Sequence, residues 1–220
     1  MNQERKKAKL FDPKMLAMDL GRLFFMPLVL ICPVKLRTPT GEKYRSRIRG
    51  GALAAANHHD FLDPVVMFVT FWYRRMFFFA GELVMNKPLR NKLIQGIGGI
   101  AIDRNIADME AIRTAVGRMK EGHLMTIYPQ GHLSLEEEVT EIKSGAVLLA
   151  LQAGVPIYPM YIHQKKKWYR RKVVVIGDPI DPRSLCTKKI PTTADIQRIS
   201  KVLMDEMNRC NLNRSKEEAK

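Results

Sequence analysis

Ala52-Leu53-Ala54-Ala55-Ala56-Asn57-His58-His59-Asp60-Phe61-Leu62-Asp63-Pro64 is the stretch on which the fold turns. Five small apolar residues end abruptly at a polar cluster, then an aspartate precedes a proline. The apolar run reads as a short buried strand. Asp63 and Pro64 read as the opening of a helix over Pro64–Tyr73, because aspartate caps free N–H groups and proline fits the first helical turn.

The same alternation continues on the C-terminal side. Met76–Ala80 predicts an aromatic-rich strand, Lys87–Ile97 a helix and Ile100–Ile102 a short strand. Ala107–Lys120 carries Met109, Ile112, Val116 and Met119 at helical spacing and stops at Gly122. Leu124–Tyr128 predicts a strand and Ser144–Ala153 a helix that stops at Gly154. Ile157–Ile162 and Val173–Ile176 follow as strands, and Ala194–Asn208 closes the chain as an amphipathic helix. Such alternation predicts an α/β fold, a mixed, largely parallel sheet flanked by helices. In these sheets functional loops lie beyond the carboxyl ends of the strands. Three polar clusters fall there: Asn57–Asp63, Asp103–Asn105 and Pro129–Ser134.

On the N-terminal side the reading changes. Residues 1–10 are polar and basic, and Asp12-Pro13 starts a helical segment that runs to about Ile31. Arg37–Gly51, punctuated by Pro39, Gly41, Gly50 and Gly51, reads as a connector. The apolar run Leu23–Val34 has twelve residues and contains Pro27 and Pro33. A spanning helix needs about twenty apolar residues, and no small-residue cleavage site of a secretory signal follows. An ordinary core helix is one alternative. The surrounding charge favours a helix lying in a membrane interface. The chain thus divides into residues 1–50, a basic arm with an interfacial amphipathic helix, and residues 51–220, the main domain.

Charge supports that division. The net charge is +15, and residues 1–50 hold twelve Lys/Arg against four acids. Such an excess suits an anionic membrane, nucleic acid or an acidic protein, or simply solvates a basic protein. With 46% apolar residues the chain can bury a sizeable core. Cys32, Cys186 and Cys210 are odd in number and form no Cys-x-x-Cys pair, which reads as reduced thiols without a structural zinc.

Chemistry concentrates in the polar clusters. A histidine five residues before an aspartate can fold back on it, so that the carboxylate holds one imidazole nitrogen and the other accepts a proton from a hydroxyl. His58 and Asp63 have that spacing, although Asp63 as a plain cap and His58 as a plain loop residue fit it too. Arg104, after the apolar run Gly99–Ile102, is suited to bidentate capture of phosphate or to a surface pair with Asp103. Tyr128-Pro129-Gln130-Gly131 forms a turn after a strand, and Lys143-Ser144-Gly145 opens a helix. Val155-Pro156-Ile157-Tyr158-Pro159 reads as either the lining of a chain-shaped pocket or core.

In this order the segments resemble the 1-acylglycerol-3-phosphate acyltransferase family of glycerolipid acyltransferases. Its Asn-His-x-x-x-x-Asp block matches Asn57, His58 and Asp63. Its Gly-x-Ile-x-Ile-Asp-Arg-like strand matches Gly99, Ile100, Ile102, Asp103 and Arg104. Phe-Pro-Glu-Gly-Thr-Arg is met only partly by Tyr128-Pro129-Gln130-Gly131-His132-Leu133, and Val-Pro-Ile-x-Pro matches Val155, Pro156, Ile157 and Pro159. The likeness is good over residues 50–165.

The resemblance implies an acyltransferase domain over residues 51–220 and a glycerolipid acyltransferase-like fold. His58 would act as base with Asp63 orienting it. Arg104, Gln130, Gly131, His132 and Lys143 would bind the acceptor lysophospholipid. Val155, Pro156 and Ile157 would line the acyl pocket. The donor would be a thioester of acyl carrier protein or coenzyme A, with no cofactor and no metal. An anionic membrane would be the partner and nucleic acid would not, which places the chain on the cytoplasmic face of the cell membrane as a peripheral or monotopic protein. Gln130, His132 and Leu133 depart from the third block, so an acceptor other than lysophosphatidate stays open. Three rival readings are an inactive lipid-binding relative, a nucleic-acid binder using the basic aromatic run Lys165–Lys172, and a metallohydrolase using His58, His59 and Asp63.

Overall fold

The computed structural model describes residues 12–81, 87–103, 108–134, 136–163 and 172–213. Arg104 and residues 165–171 of the basic run lie outside them, as do residues 1–10. After a 3-10 turn at Pro13–Met15 come α1 (Leu16–Phe25), α2 (Leu28–Ile31), β1 (Val34–Arg37), β2 (Ala52–Ala56), α3 (Asp63–Thr70) and β3 (Met76–Gly81). Then follow α4 (Pro88–Gly96), β4 (Gly99–Ile102), α5 (Met109–Lys120), β5 (Leu124–Ile127), α6 (Gly145–Ala153), β6 (Ile157–His163), β7 (Lys172–Ile176) and α7 (Thr193–Arg209).

The described strands form one sheet in the order β1-β7-β6-β2-β5-β3-β4. The five from β6 to β4 are parallel, whereas β7 runs antiparallel to β6 and β1 runs parallel to β7. The architecture is the expected mixed, mostly parallel α/β sheet flanked by helices. β2 lies at its centre, and every residue of it is fully buried.

Side chains alternate across β2, and the two cores follow that period of two. Leu53 and Ala55 face a cluster built with Ala115 and Met119 of α5, Val147 and Ala150 of α6, and Ile199, Leu203 and Met207 of α7. Ala54 and Ala56 face Val66, Met67 and Phe68 of α3. Small side chains at these alternate positions let α3 approach the sheet where the functional loops begin. Helix ends are fixed locally. Asp108 accepts from the Ala111 amide at 3.0 Å to start α5, and Thr192 with Asp195 forms a capping box on α7. Gly98 precedes β4 at φ +101, where a Cβ would sit 2.2 Å from the Met76 carbonyl oxygen, so only glycine fits that turn.

Two readings need correction. The N-terminal segment is not one helix to Ile31. It breaks after Phe25, because Pro27 has no N–H to donate and its ring clashes with the preceding turn. The stretch before Ala52 also contains a strand. Val34–Arg37 pairs with Lys172–Val175 at the sheet edge, and the connector then turns back with the Tyr44 amide on the Leu36 carbonyl at 3.1 Å. Asp19 of α1 binds Arg75 just before β3 at 2.9 Å, which ties the segment to the body. Among the described residues no helix is long and apolar enough to cross a membrane.

Candidate active site

The site is built where β2 and β5 end side by side. Ala55 pairs with Ile127 across these parallel strands, so Asn57 and His58 leave β2 beside Tyr128, Pro129 and Gln130. Asn57 is fully buried and extends the ladder to β6: its Nδ2 donates to the Ile162 carbonyl at 3.2 Å, and the Ile162 amide donates to its Oδ1 at 2.6 Å. That clamp fixes the exit direction of the chain and hence the position of His58.

Asp63 is 1% exposed and does not cap α3. Its carboxylate turns back instead. Oδ2 accepts from the amides of His59 and Asp60, each at 2.8 Å, and lies 3.1 Å from His58 Nδ1. An ionised carboxylate only accepts, so Nδ1 carries the proton and donates. Nε2 is thereby left with its lone pair, in the tautomer a general base requires.

Residues after β5 hold His58 from other directions, one at the ring and two at the backbone. The Tyr128 ring stacks on it with centroids 4.2 Å apart and planes 18° apart. Gln130 is buried, and its Oε1 accepts from the His58 amide at 3.4 Å. The Ser134 amide donates to the His58 carbonyl at 2.8 Å. His59 points away, with Nδ1 2.6 Å from the Ser134 carbonyl and Nε2 3.3 Å from the Tyr161 hydroxyl, which itself donates to the Glu137 carbonyl. Burial, then the charge of Asp63, pushes the Tyr128 phenol well above its ordinary value, so it stays protonated beside the imidazole.

The other sequence-assigned residues fall as follows. Gln130 supports the His58 loop from within. Gly131 and His132 are exposed on the next turn. Gly131 has φ +77, and a Cβ there would lie 2.9 Å from Lys143 Nζ, so the Lys143 side chain rests across it. The Lys143 amide donates to the Pro129 carbonyl at 2.9 Å, which pins the base of that side chain to the same turn. Val155, Pro156 and Ile157 are not brought to His58. They are buried where β6 begins, Ile157 level with Leu53, five residues before His58 on β2. At about 3.3 Å per strand residue that is roughly 16 Å away, and Val155 and Ile157 belong to the core shared with α5 and α6. Sequence reasoning missed Tyr128, Ser134 and Tyr161. The Tyr128 contact was accessible in principle, since Tyr128 and His58 lie on the same alternation of two neighbouring parallel strands.

Beyond the end of a central parallel strand, a deeply held carboxylate thus orients an imidazole whose Nε2 has no partner among the described residues, an arrangement chemically able to take a proton from a hydroxyl. Residues 37–163 match the Acyltransferase family, more than half of the chain, and the chain belongs to that family. It is 26% identical over 151 residues to a probable 1-acyl-sn-glycerol-3-phosphate acyltransferase of Mycoplasma pneumoniae, covering 59% of this chain and 57% of that protein. It is 30% identical over 115 residues to the protein of the same name from Mycoplasma genitalium, covering 50% and 43%. The chain thus spans about half the length of these relatives. Its fold is that of the 1-acyl-sn-glycerophosphate (LPA) acyltransferase PlsC of Thermotoga maritima, with a TM-score of 0.55, 21% identity, and 87% of this chain and 78% of that one covered.

Proposed function

We propose that this chain moves a fatty acyl group from an acyl thioester to the free hydroxyl of a lysoglycerolipid, foremost 1-acylglycerol-3-phosphate, giving phosphatidate for phospholipid synthesis. The observation that carries the proposal is the His58 imidazole held on Asp63 at 3.1 Å, with Nε2 lacking a partner among the described residues. In this reaction Nε2 takes the hydroxyl proton while the hydroxyl oxygen attacks the thioester carbonyl. Asp63 stabilises the imidazolium that forms. The tetrahedral intermediate then collapses, the C–S bond breaks, and the leaving thiolate of coenzyme A or acyl carrier protein receives the proton from His58. The chain's own residues supply every proton transfer, so no cofactor is invoked.

Lys143, lying across Gly131 on the turn next to His58, is the cation this reading assigns to the acceptor phosphate, together with Arg104. A second acceptor class is favoured by one observation. Leu133 is 49% exposed where the family block has arginine, and Gln130 is committed to the His58 loop, so this turn offers the acceptor fewer polar groups. A lysophospholipid with a larger headgroup would fill that space.

The acceptor lives in a bilayer, and the exposed apolar side chains support a lipid surface as partner. β1 starts level with the start of β7, and Lys172 there lies 3.5 Å from Asp60 in the β2–α3 loop. The end of α2 and that loop therefore share one end of the sheet, where Leu30, Ile31, Phe61 and Leu62 are exposed. These side chains support peripheral or monotopic binding to a membrane surface; we take that surface to be the anionic cytoplasmic face of the cell membrane.

The test offers the purified full chain a panel of lysolipids, each with acyl-coenzyme A and acyl-carrier protein. Acylation of lysophosphatidate that disappears in His58→Ala is the expected result. No acylation of any lysolipid with either donor, from folded protein in mixed micelles, overturns the reading.

A further inference from the structure

We infer that Tyr128 is a positioning residue for the base: its ring face fixes the His58 imidazole in the plane that meets Asp63. This rests on the acyl-transfer reading for its kinetic consequence, but not for its geometry. Its covalent attachment at Cγ and the hydrogen bond from Nδ1 to Asp63 Oδ2 fix two points of the ring and leave it able to tilt about the line that joins them. A second, flat contact removes the freedom, and the Tyr128 ring provides it at 4.2 Å and 18°.

The register makes this contact a property of the sheet. Ala55 pairs with Ile127, so Tyr128 continues β5 level with Ala56, and its side chain emerges on the α3 face with Ala54 and Ala56. His58 follows Ala56 by two residues and shares that face. The methyl group of Ala56 leaves room for the tyrosine to lean under the imidazole. Tyr128 covers one ring face and Asp63 holds the Nδ1 edge, so the acceptor hydroxyl reaches Nε2 from the remaining sides.

The stack also follows the base through its charge change. The negative face of an aromatic ring attracts a cation within about 6 Å of its centroid, so Tyr128 favours the imidazolium that forms as the proton leaves the acceptor. The phenol does not titrate into this role, because the face and not the hydroxyl makes the contact. The hydroxyl has no hydrogen-bond partner among the described residues, which predicts that its removal is tolerated while loss of the ring is not.

Three variants of the full chain test this: Tyr128→Phe, Tyr128→Leu and Tyr128→Met. Steady-state kinetics with lysophosphatidate and acyl-coenzyme A should show kcat lowered several-fold to about tenfold in the Leu and Met variants, with KM for both substrates changed less than about twofold. Tyr128→Phe should keep kcat within about threefold. A second readout needs no turnover. The carbon-bound imidazole protons of His58, assigned by their loss in His58→Ala, should be shifted upfield by the tyrosine ring current in the unaltered protein and in Tyr128→Phe, and should move downfield in the Leu and Met variants. If the protein acylates nothing but the ring-current shift is present, the acyl-transfer reading fails and the stack stands. An unshifted His58 signal in the unaltered protein overturns the inference, and so does unchanged kcat in a folded Leu or Met variant.

Discussion

Asp63→Asn separates the two things the carboxylate does. Three donors converge on one oxygen: the amides of His59 and Asp60 at 2.8 Å and His58 Nδ1 at 3.1 Å. An asparagine that turned its NH2 toward them would face two backbone N–H groups that can only donate. The amide oxygen therefore occupies the same position, and His58 keeps its proton on Nδ1. Geometry and tautomer survive, and the charge alone is lost. Opposite an imidazolium with charge centres about 4 Å apart, in surroundings with an effective dielectric of about 20, that charge is worth about 4 kcal/mol. At ~1.4 kcal/mol per decade, kcat should fall by about three orders of magnitude, with KM nearly constant. Asp63→Ala should behave differently. Two loop amides then lose their acceptor at about 1–3 kcal/mol each, and the protein itself should be destabilised. The assay is single-turnover acyl transfer with circular dichroism melting on both variants. An Asp63→Asn protein that turns over within tenfold of the original would refute the assignment of Asp63 as the charge partner of His58.

Gly131→Ala should lower Tm by several degrees, since a positive φ costs an L-residue about 1–2 kcal/mol, and should raise KM for lysophosphatidate because the new methyl would lie 2.9 Å from Lys143 Nζ and push that side chain away; melting curves and acceptor titrations check both. Phe61→Ser combined with Leu62→Ser should weaken sedimentation with anionic vesicles by about tenfold or more, given ~1.5–3 kcal/mol per buried large apolar side chain, and unchanged sedimentation would remove that loop from the proposed lipid surface. His123 is buried, and burial first, then the charge of Arg75, depresses it from 6.5 to about 4. The folded state therefore holds it neutral, so its contribution is complete above pH 6.5 and is lost as pH falls toward 4, about 3 kcal/mol in all. Denaturant midpoints measured across that window should drop in the original protein and drop less in His123→Gln.

The fold was legible where burial is strong and the hydrophobic period is clean. Ala52–Ala56 reads as a strand because nothing polar interrupts it, and it is the central strand. The helix carrying Met109, Ile112, Val116 and Met119 was visible because its apolar positions recur at helical spacing. Val34–Arg37 was hidden by its charge. Val34 and Leu36 pack on the α3 side while Lys35 is exposed, which is the alternation of a half-buried edge strand. Set among so many basic residues, it read as part of an arm. The apolar stretch Val155–Ile157 shows a different limit. Apolar composition does not distinguish a pocket lining from a core, and only the register with Leu53 places it where β6 begins, against the core shared with α5 and α6.

The site was legible in residue types and less so in directions. His58 and Asp63 are close in sequence, so a loop of six residues brings them together without help from the rest of the fold. What holds them comes from elsewhere in the chain. Gln130 read as a ligand for the acceptor, because a polar residue on a turn after a strand has either use, and the structure turns it inward to the His58 amide. The choice between two adjacent histidines depends on the same distant loop. Successive side chains on an extended chain point to opposite sides, so one carboxylate can hold only one of the two rings. His59 is taken by the Ser134 carbonyl and the Tyr161 hydroxyl, groups 75 and 102 residues away. Those contacts fasten the loop across two strands while His58 keeps Asp63 on one nitrogen and leaves the other open. The contacts of His59 thus help decide which of the two rings meets Asp63.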